Sequence, residues 1–133
     1  NARILISPAV SLPKGRKAWE TAVFGSKATV SSANPVEHVR KGLPPTIILQ
    51  GRDDSVTPLS GVQLFHDKMQ AYGNYCEIWI YDGVGHLFTP NTMSDSGIPK
   101  PDKTIRKKAH RKVDEFLEKL GYIKEIGSNT TVF

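Results

Sequence analysis

Two stretches of this sequence end an apolar run on a residue that can hold or move a proton. Thr46-Ile47-Ile48-Leu49-Gln50 breaks into Gly51-Arg52-Asp53-Asp54-Ser55-Val56-Thr57-Pro58, and Glu77-Ile78-Trp79-Ile80-Tyr81 breaks into Asp82-Gly83-Val84-Gly85-His86. A carboxylate held against an imidazole fixes its tautomer and stabilises the imidazolium formed when the ring takes a nucleophile's proton. The two loops therefore offer the supporting half of a hydrolytic triad, with His86 as the base and Asp54, or its neighbour Asp53, as the acid. Each signal alone is weak. An aspartate after a strand is commonly a turn former or helix cap, and Gly83-Val84-Gly85 lacks the third glycine and following helix of a dinucleotide fingerprint. Their joint placement, each ending an apolar run and separated by one helix, gives the pair its weight. Leu87 and Phe88, directly after the histidine, are candidates either to line an acyl or alcohol site or to pack against the sheet.

The elements that must position this pair read as an alternating α/β layer. A first strand is expected over Arg3 to Ser7, where Ile4-Leu5-Ile6 is a continuous apolar run ended by Pro8. Continuous runs of this kind suit a strand covered on both faces of a parallel sheet. The pattern weakens from Ser11 to Lys41, with a short helix expected over Lys17 to Phe24. Pro44-Pro45 then forces an extended approach to the second strand, Thr46 to Gln50, and Gly51 lets the backbone turn at its end. Val62, Phe65, Met69 and Tyr72 recur at three- and four-residue steps, which predicts an amphipathic helix closed by Gly73-Asn74, with Thr57 or Ser60 as cap. His66 and Asp67 fall beside that stripe and are expected in solvent. The third strand is Glu77 to Tyr81. After a long irregular stretch, of a kind that is usually functional or mobile, a strong helix runs from Lys103 to Leu120, with Gly121 at its C-terminal cap and a tail from about residue 124 to 133. In open parallel α/β sheets function collects beyond the carboxyl ends of the strands, where both loops emerge.

Composition narrows the alternatives. A chain of 133 residues with 38% hydrophobic and 23% charged residues has the size of one domain and a globular composition, and its mean hydropathy is −0.33. No apolar run approaches the roughly 18 residues a membrane span needs. The compartment, cytoplasmic or secreted, is left open. The single cysteine, Cys76, excludes an internal disulfide and reads as a packing residue. Lysine and arginine outnumber the acids 18 to 13, but the basic residues from Lys100 to Lys112 have helical spacing and no interleaved aromatics. They form a solvated helix face rather than a nucleic-acid surface. The four histidines, His38, His66, His86 and His110, show no metal-ligand spacing. His38 and His110 read as loop-anchoring and helix-surface residues.

At this point the motifs resemble a known superfamily. Gly51-Arg52-Asp53-Asp54-Ser55-Val56-Thr57-Pro58 is similar to the Gly-x-x-Asp-x-x-Val/Thr-Pro segment of α/β-hydrolases, and Gly83-Val84-Gly85-His86 is similar to the segment bearing their triad histidine. Ser32-Ala33-Asn34-Pro35-Val36-Glu37-His38-Val39 and Val113-Asp114-Glu115-Phe116-Leu117-Glu118-Lys119-Leu120-Gly121-Tyr122 resemble the approach to the acid strand and the last helix of the esterase and lipase branch, which includes acetyl esterases and feruloyl-esterase-like enzymes. The resemblance implies the C-terminal portion of an α/β-hydrolase domain, with about three parallel strands and flanking helices. It also implies Asp54 as the triad acid, His86 as the triad base, a small carboxylic ester as substrate, and no cofactor or metal. Two other parents share the motifs, a prolyl-oligopeptidase-type serine peptidase and a non-catalytic hydrolase-like binding module.

One departure limits what the chain is expected to do. In this superfamily the nucleophile precedes the acid and sits on a Gly-x-Ser-x-Gly elbow, yet none of the serines at 7, 11, 26, 31, 32, 55, 60, 94, 96 and 128 has that flanking. The nucleophile and oxyanion hole are expected upstream of Asn1, in an N-terminal part of the same fold. The chain alone is then expected to be inactive and, with an unpaired first strand, to self-associate.

Overall fold

The computed structural model describes residues 1–12, 21, 22, 25, 30–94 and 97–124. Three strands, β1 (Arg3–Ile6), β2 (Thr46–Gly51) and β3 (Cys76–Tyr81), form one parallel sheet in the order β1-β2-β3. A short helical segment, α1 (Val30–Ala33), and a 3₁₀ turn, Pro35–His38, lead to β2. Helix α2 (Leu59–Ala71) joins β2 to β3, and α3 (Lys103–Lys119) closes the described chain. Of the helix expected over Lys17 to Phe24, only Thr21 and Ala22 are described, and both are helical.

The central strand is buried at every position, and its side chains alternate between two cores, as the pleat requires. Ile48 packs on one face with Val62, Phe65 and Met69 of α2, while Ile47 and Leu49 pack on the other with Ala109 and Phe116 of α3. Both helices end on a left-handed glycine, Gly73 and Gly121. In each case two backbone bonds close the last turn, from Gly73 and Asn74 to Gln70 and Met69, and from Gly121 and Tyr122 to Glu118 and Leu117.

Four expectations are corrected. Strand β1 is not covered on both faces: Ile4 is 44% and Ile6 37% exposed, because they share the α3 face of the sheet with Ile47 and Leu49 but lie beyond the cover that α3 provides. Ser7 does not continue the strand; it takes a left-handed backbone, φ 46°. Neither Thr57 nor Ser60 caps α2, whose N-cap is Pro58 without a side-chain bond. The Thr57 hydroxyl is engaged elsewhere. His66 is mostly sheltered rather than solvated, its side chain 12% exposed and its Nδ1 2.9 Å from the Asp67 carboxylate.

Cys76 is buried at the start of β3, and its thiol is pushed up to about 11 by burial and by neighbouring Glu77, as suits a packing residue. Glu77 in turn ties β3 to α3. It accepts from Tyr75, from Trp79 Nε1 at 3.1 Å and from Lys119 Nζ at 3.0 Å. Burial opposes the Glu77 charge, but the bonds from Tyr75, Lys119 and Trp79 outweigh it and hold the carboxyl below its ordinary value. A carboxyl whose folded pKa is depressed stabilises the fold above its unfolded pKa and loses that contribution as pH falls through the folded value. The melting temperature lost on Glu77→Gln is therefore expected to be larger at pH 7 than at pH 3. Equal losses at both pH values would show that the charge contributes nothing.

Candidate active site

The acid and histidine loops are brought together by their backbones before any side chain is considered. Arg52 N–H donates to Tyr81 O at 2.9 Å and Asp53 N–H to Val84 O at 3.1 Å, extending the β2-β3 ladder past the strand ends. Gly51 sits so close to the histidine loop that a Cβ there would stand 2.3 Å from Gly85 O and 2.6 Å from Val84 O. Glycine is thus required for close approach rather than for the turn that the sequence suggested, since its φ is not positive. On the solvent side Arg52 pairs with Asp82, an exposed pair of small energetic weight.

The next residues alternate. Asp53 turns outward and accepts from Asn91 Nδ2 at 3.0 Å. Asp54 turns inward, its side chain fully buried. Its Oδ1 accepts from the backbone of Val56 at 3.0 Å and of Thr57 at 2.7 Å, and its Oδ2 lies 3.0 Å from Thr57 Oγ1 and 3.1 Å from His86 Nδ1. Three N–H donors thus face the carboxylate, with the Thr57 hydroxyl in reach as a fourth. That is the condition under which a buried charge is tolerated.

His86 is delivered by a strained turn. The ring is 19% exposed, and the short 3₁₀ turn His86–Phe88 that carries it includes left-handed Leu87 (φ 49°) and Phe88 (φ 63°). Each such non-glycine residue costs on the order of 1 kcal/mol or more. Gly83, at φ 77°, is the glycine whose conformational freedom is used in this loop. The strain is held by a dense set of bonds: Gly85 N–H to Thr89 O at 2.7 Å, Phe88 N–H to Gly85 O at 3.1 Å and Asp102 N–H to Phe88 O at 2.8 Å. The irregular stretch after the histidine is therefore pinned where it leaves β3 and where it enters α3.

A carboxylate only accepts hydrogen bonds, so the 3.1 Å contact assigns the proton of neutral His86 to Nδ1 and leaves Nε2 as the basic nitrogen. Of the two residues after the histidine, Phe88 belongs to the core. It is 2% exposed and meets Tyr81 edge to face with centroids 5.4 Å apart. Leu87 is half-buried. His38 anchors its loop through Ser32 O at 3.0 Å, and His110 is exposed on α3. Among the described residues no cluster of three or more His, Cys, Asp or Glu side chains is placed to hold a metal, and no helix is long and apolar enough to cross a membrane. Thr57 and Ser7 join the site although the sequence assigned them no part. A serine before a proline at a strand's end and a threonine three residues after an aspartate are too common to stand out.

Comparison with known proteins agrees with this architecture. The sequence profile of the dienelactone hydrolase family matches residues 14–121. Among solved structures, the native thermophilic esterase 2 of the planctomycete Thermogutta terrifontis superposes with a TM-score of 0.75 at 31% identity, over 96% of this chain and 45% of that one. Its butyrate-bound form gives 0.76 at 30% identity, over 96% and 46%. The form phosphoramylated by tabun gives 0.73 at 29% identity, over 93% and 43%. The chain thus spans less than half the length of the esterase structures it matches. No curated protein sequence matches it.

Proposed function

We propose, from the premise that this chain belongs to the dienelactone hydrolase family, that it supplies the acid and base of a Ser-His-Asp hydrolase acting on small carboxylic esters. The observation that carries the reading is the fully buried Asp54 carboxylate lying 3.1 Å from His86 Nδ1 at the carboxyl edge of a parallel sheet. In this reading Nε2 of His86 takes the proton of a serine hydroxyl as it attacks the ester carbonyl, and returns it to the departing alcohol. Asp54 stays ionised and stabilises the imidazolium between the two transfers. The serine and oxyanion donors come from a segment preceding residue 1, on a Gly-x-Ser-x-Gly elbow.

Two outcomes follow from that division of labour. This chain alone is expected to hydrolyse an activated acetyl ester no faster than free imidazole does, because its sequence holds no Gly-x-Ser-x-Gly elbow to present an attacking hydroxyl and an oxyanion donor. A polypeptide extended upstream through the elbow is expected to turn over. A chain-alone activity that disappears on His86→Ala would sink the division, and an upstream sequence without an elbow would favour a non-catalytic module. Among the described residues β1 is an edge strand, and with Ile4 and Ile6 exposed it should drive self-association of the isolated chain. Light scattering that finds a monomer would count against an unpaired edge.

A further inference from the structure

We propose that Ser7 is a positioning residue that holds the acid and histidine loops in register, with Thr57 as its intermediary. This deepens the hydrolase reading above and rests on it for its functional meaning. Ser7 follows β1, is buried, and engages three separate elements. Its N–H donates to Leu49 O of β2 at 3.0 Å. Its carbonyl accepts from Thr57 Oγ1 at 3.1 Å, and its Oγ accepts from Leu87 N–H at 3.0 Å. One residue thereby ties the central strand, the acid loop and the residue next to the histidine. Its own left-handed backbone, φ 46°, aims the carbonyl and hydroxyl at two different loops, as an extended residue on the strand would not.

Thr57 carries the register inward. Its hydroxyl has a single proton and two acceptors in reach, Ser7 O at 3.1 Å and Asp54 Oδ2 at 3.0 Å, while its oxygen lies 3.3 Å from His86 Nδ1. The imidazole Nδ1–H is thus aimed between Asp54 Oδ2 and Thr57 Oγ1. Rotation of the Thr57 side chain would remove one wall of that seat. On the other side, the bond that Leu87 N–H donates to Ser7 Oγ holds Leu87 in a conformation leucine rarely adopts, so its loss should let the turn relax and swing the ring.

Nitrogen-15 NMR of the full chain tests this without turnover. Ser7→Ala is expected to raise solvent exchange of the His86 Nδ1–H and of the Leu87 amide at least tenfold, leaving the Ile48 amide in β2 protected. Thr57→Val, which keeps the shape and removes the hydroxyl, is expected to raise Nδ1–H exchange alone, and Thr57→Ser should restore it. The proposal is overturned if both Ser7→Ala and Thr57→Val leave His86 exchange within twofold of the parent. Should Ser7→Ala not fold, the Thr57 pair decides by the same criterion. In a polypeptide that carries the nucleophile, Ser7→Ala is expected to lower kcat at least tenfold with KM unchanged. If His86→Ala there leaves turnover intact, the hydrolase reading fails while the exchange result still reports on positioning.

Discussion

Replacing His86 with alanine in a polypeptide that also carries the proposed nucleophile is expected to lower kcat for an activated ester by about 10⁶-fold, and Asp54→Asn by about 10⁴-fold, with KM little changed in either. The difference between the two follows from their roles. In the proposed reading His86 handles the proton itself, whereas Asp54 orients and stabilises. The geometry also says what asparagine would do. Its carbonyl oxygen can keep the bonds from Val56 and Thr57 N–H that Oδ1 now accepts, which places the amide nitrogen against His86 Nδ1. Two donors then face each other unless the ring moves its proton to Nε2, the tautomer that cannot accept from a hydroxyl. Nitrogen-15 shifts of His86 in Asp54→Asn should show that change. Asp53→Asn is expected to leave kcat within about threefold, since its carboxylate faces Asn91 and surface changes of this kind usually have small effects. Equal losses at residues 53 and 54 would remove the basis for the assignment.

The layered α/β arrangement was legible because its signals are strong ones. The continuous apolar run of β2 marks a strand buried on both faces, and the helical periods of α2 and α3 carry clear C-terminal glycines. Coverage of β1 was misread because a run such as Ile4-Leu5-Ile6 reports a preference for burial, not whether an element is there to bury it. In the site, Asp54 and His86 stood out as chemistry at strand ends. The devices that bring them within 3.1 Å did not. Left-handed Leu87 and Phe88 have no local marker, since their backbone is set by bonds to Ser7, Gly85 and Asp102 that are distant or loop-mediated. Thr57, like Ser60, is a cap candidate in the sequence because a hydroxyl before a helix usually is one, and only the fold shows that a buried carboxylate competes for it.

Gly51 provides the sharpest test of how the two loops are spaced, because the sequence and the structure give different reasons for the same residue. If it served only to turn the chain, alanine would cost little at a backbone whose φ is not positive. The close approach predicts otherwise. An added Cβ meets two carbonyl oxygens, Gly85 O at 2.3 Å and Val84 O at 2.6 Å, and backbone atoms cannot rotate away as a side chain would. Val84 O is held by Asp53 N–H, and Gly85 O by Phe88 N–H, so relief requires the loops to part and both bonds to stretch. Gly51→Ala is expected to destabilise the chain by about 3 kcal/mol in urea unfolding. Where the nucleophile is present, a displacement on the order of 1 Å between acid and base should lower kcat about 100-fold. Gly83→Ala is the control for conformation alone: φ is 77° and nothing lies within 4 Å of the added carbon, so about 1 kcal/mol is expected. A Gly51→Ala cost no larger than that of Gly83→Ala would mean that the loops yield easily. The Asp54–His86 distance would then be set by the side-chain bonds around Thr57 rather than by the backbone contact.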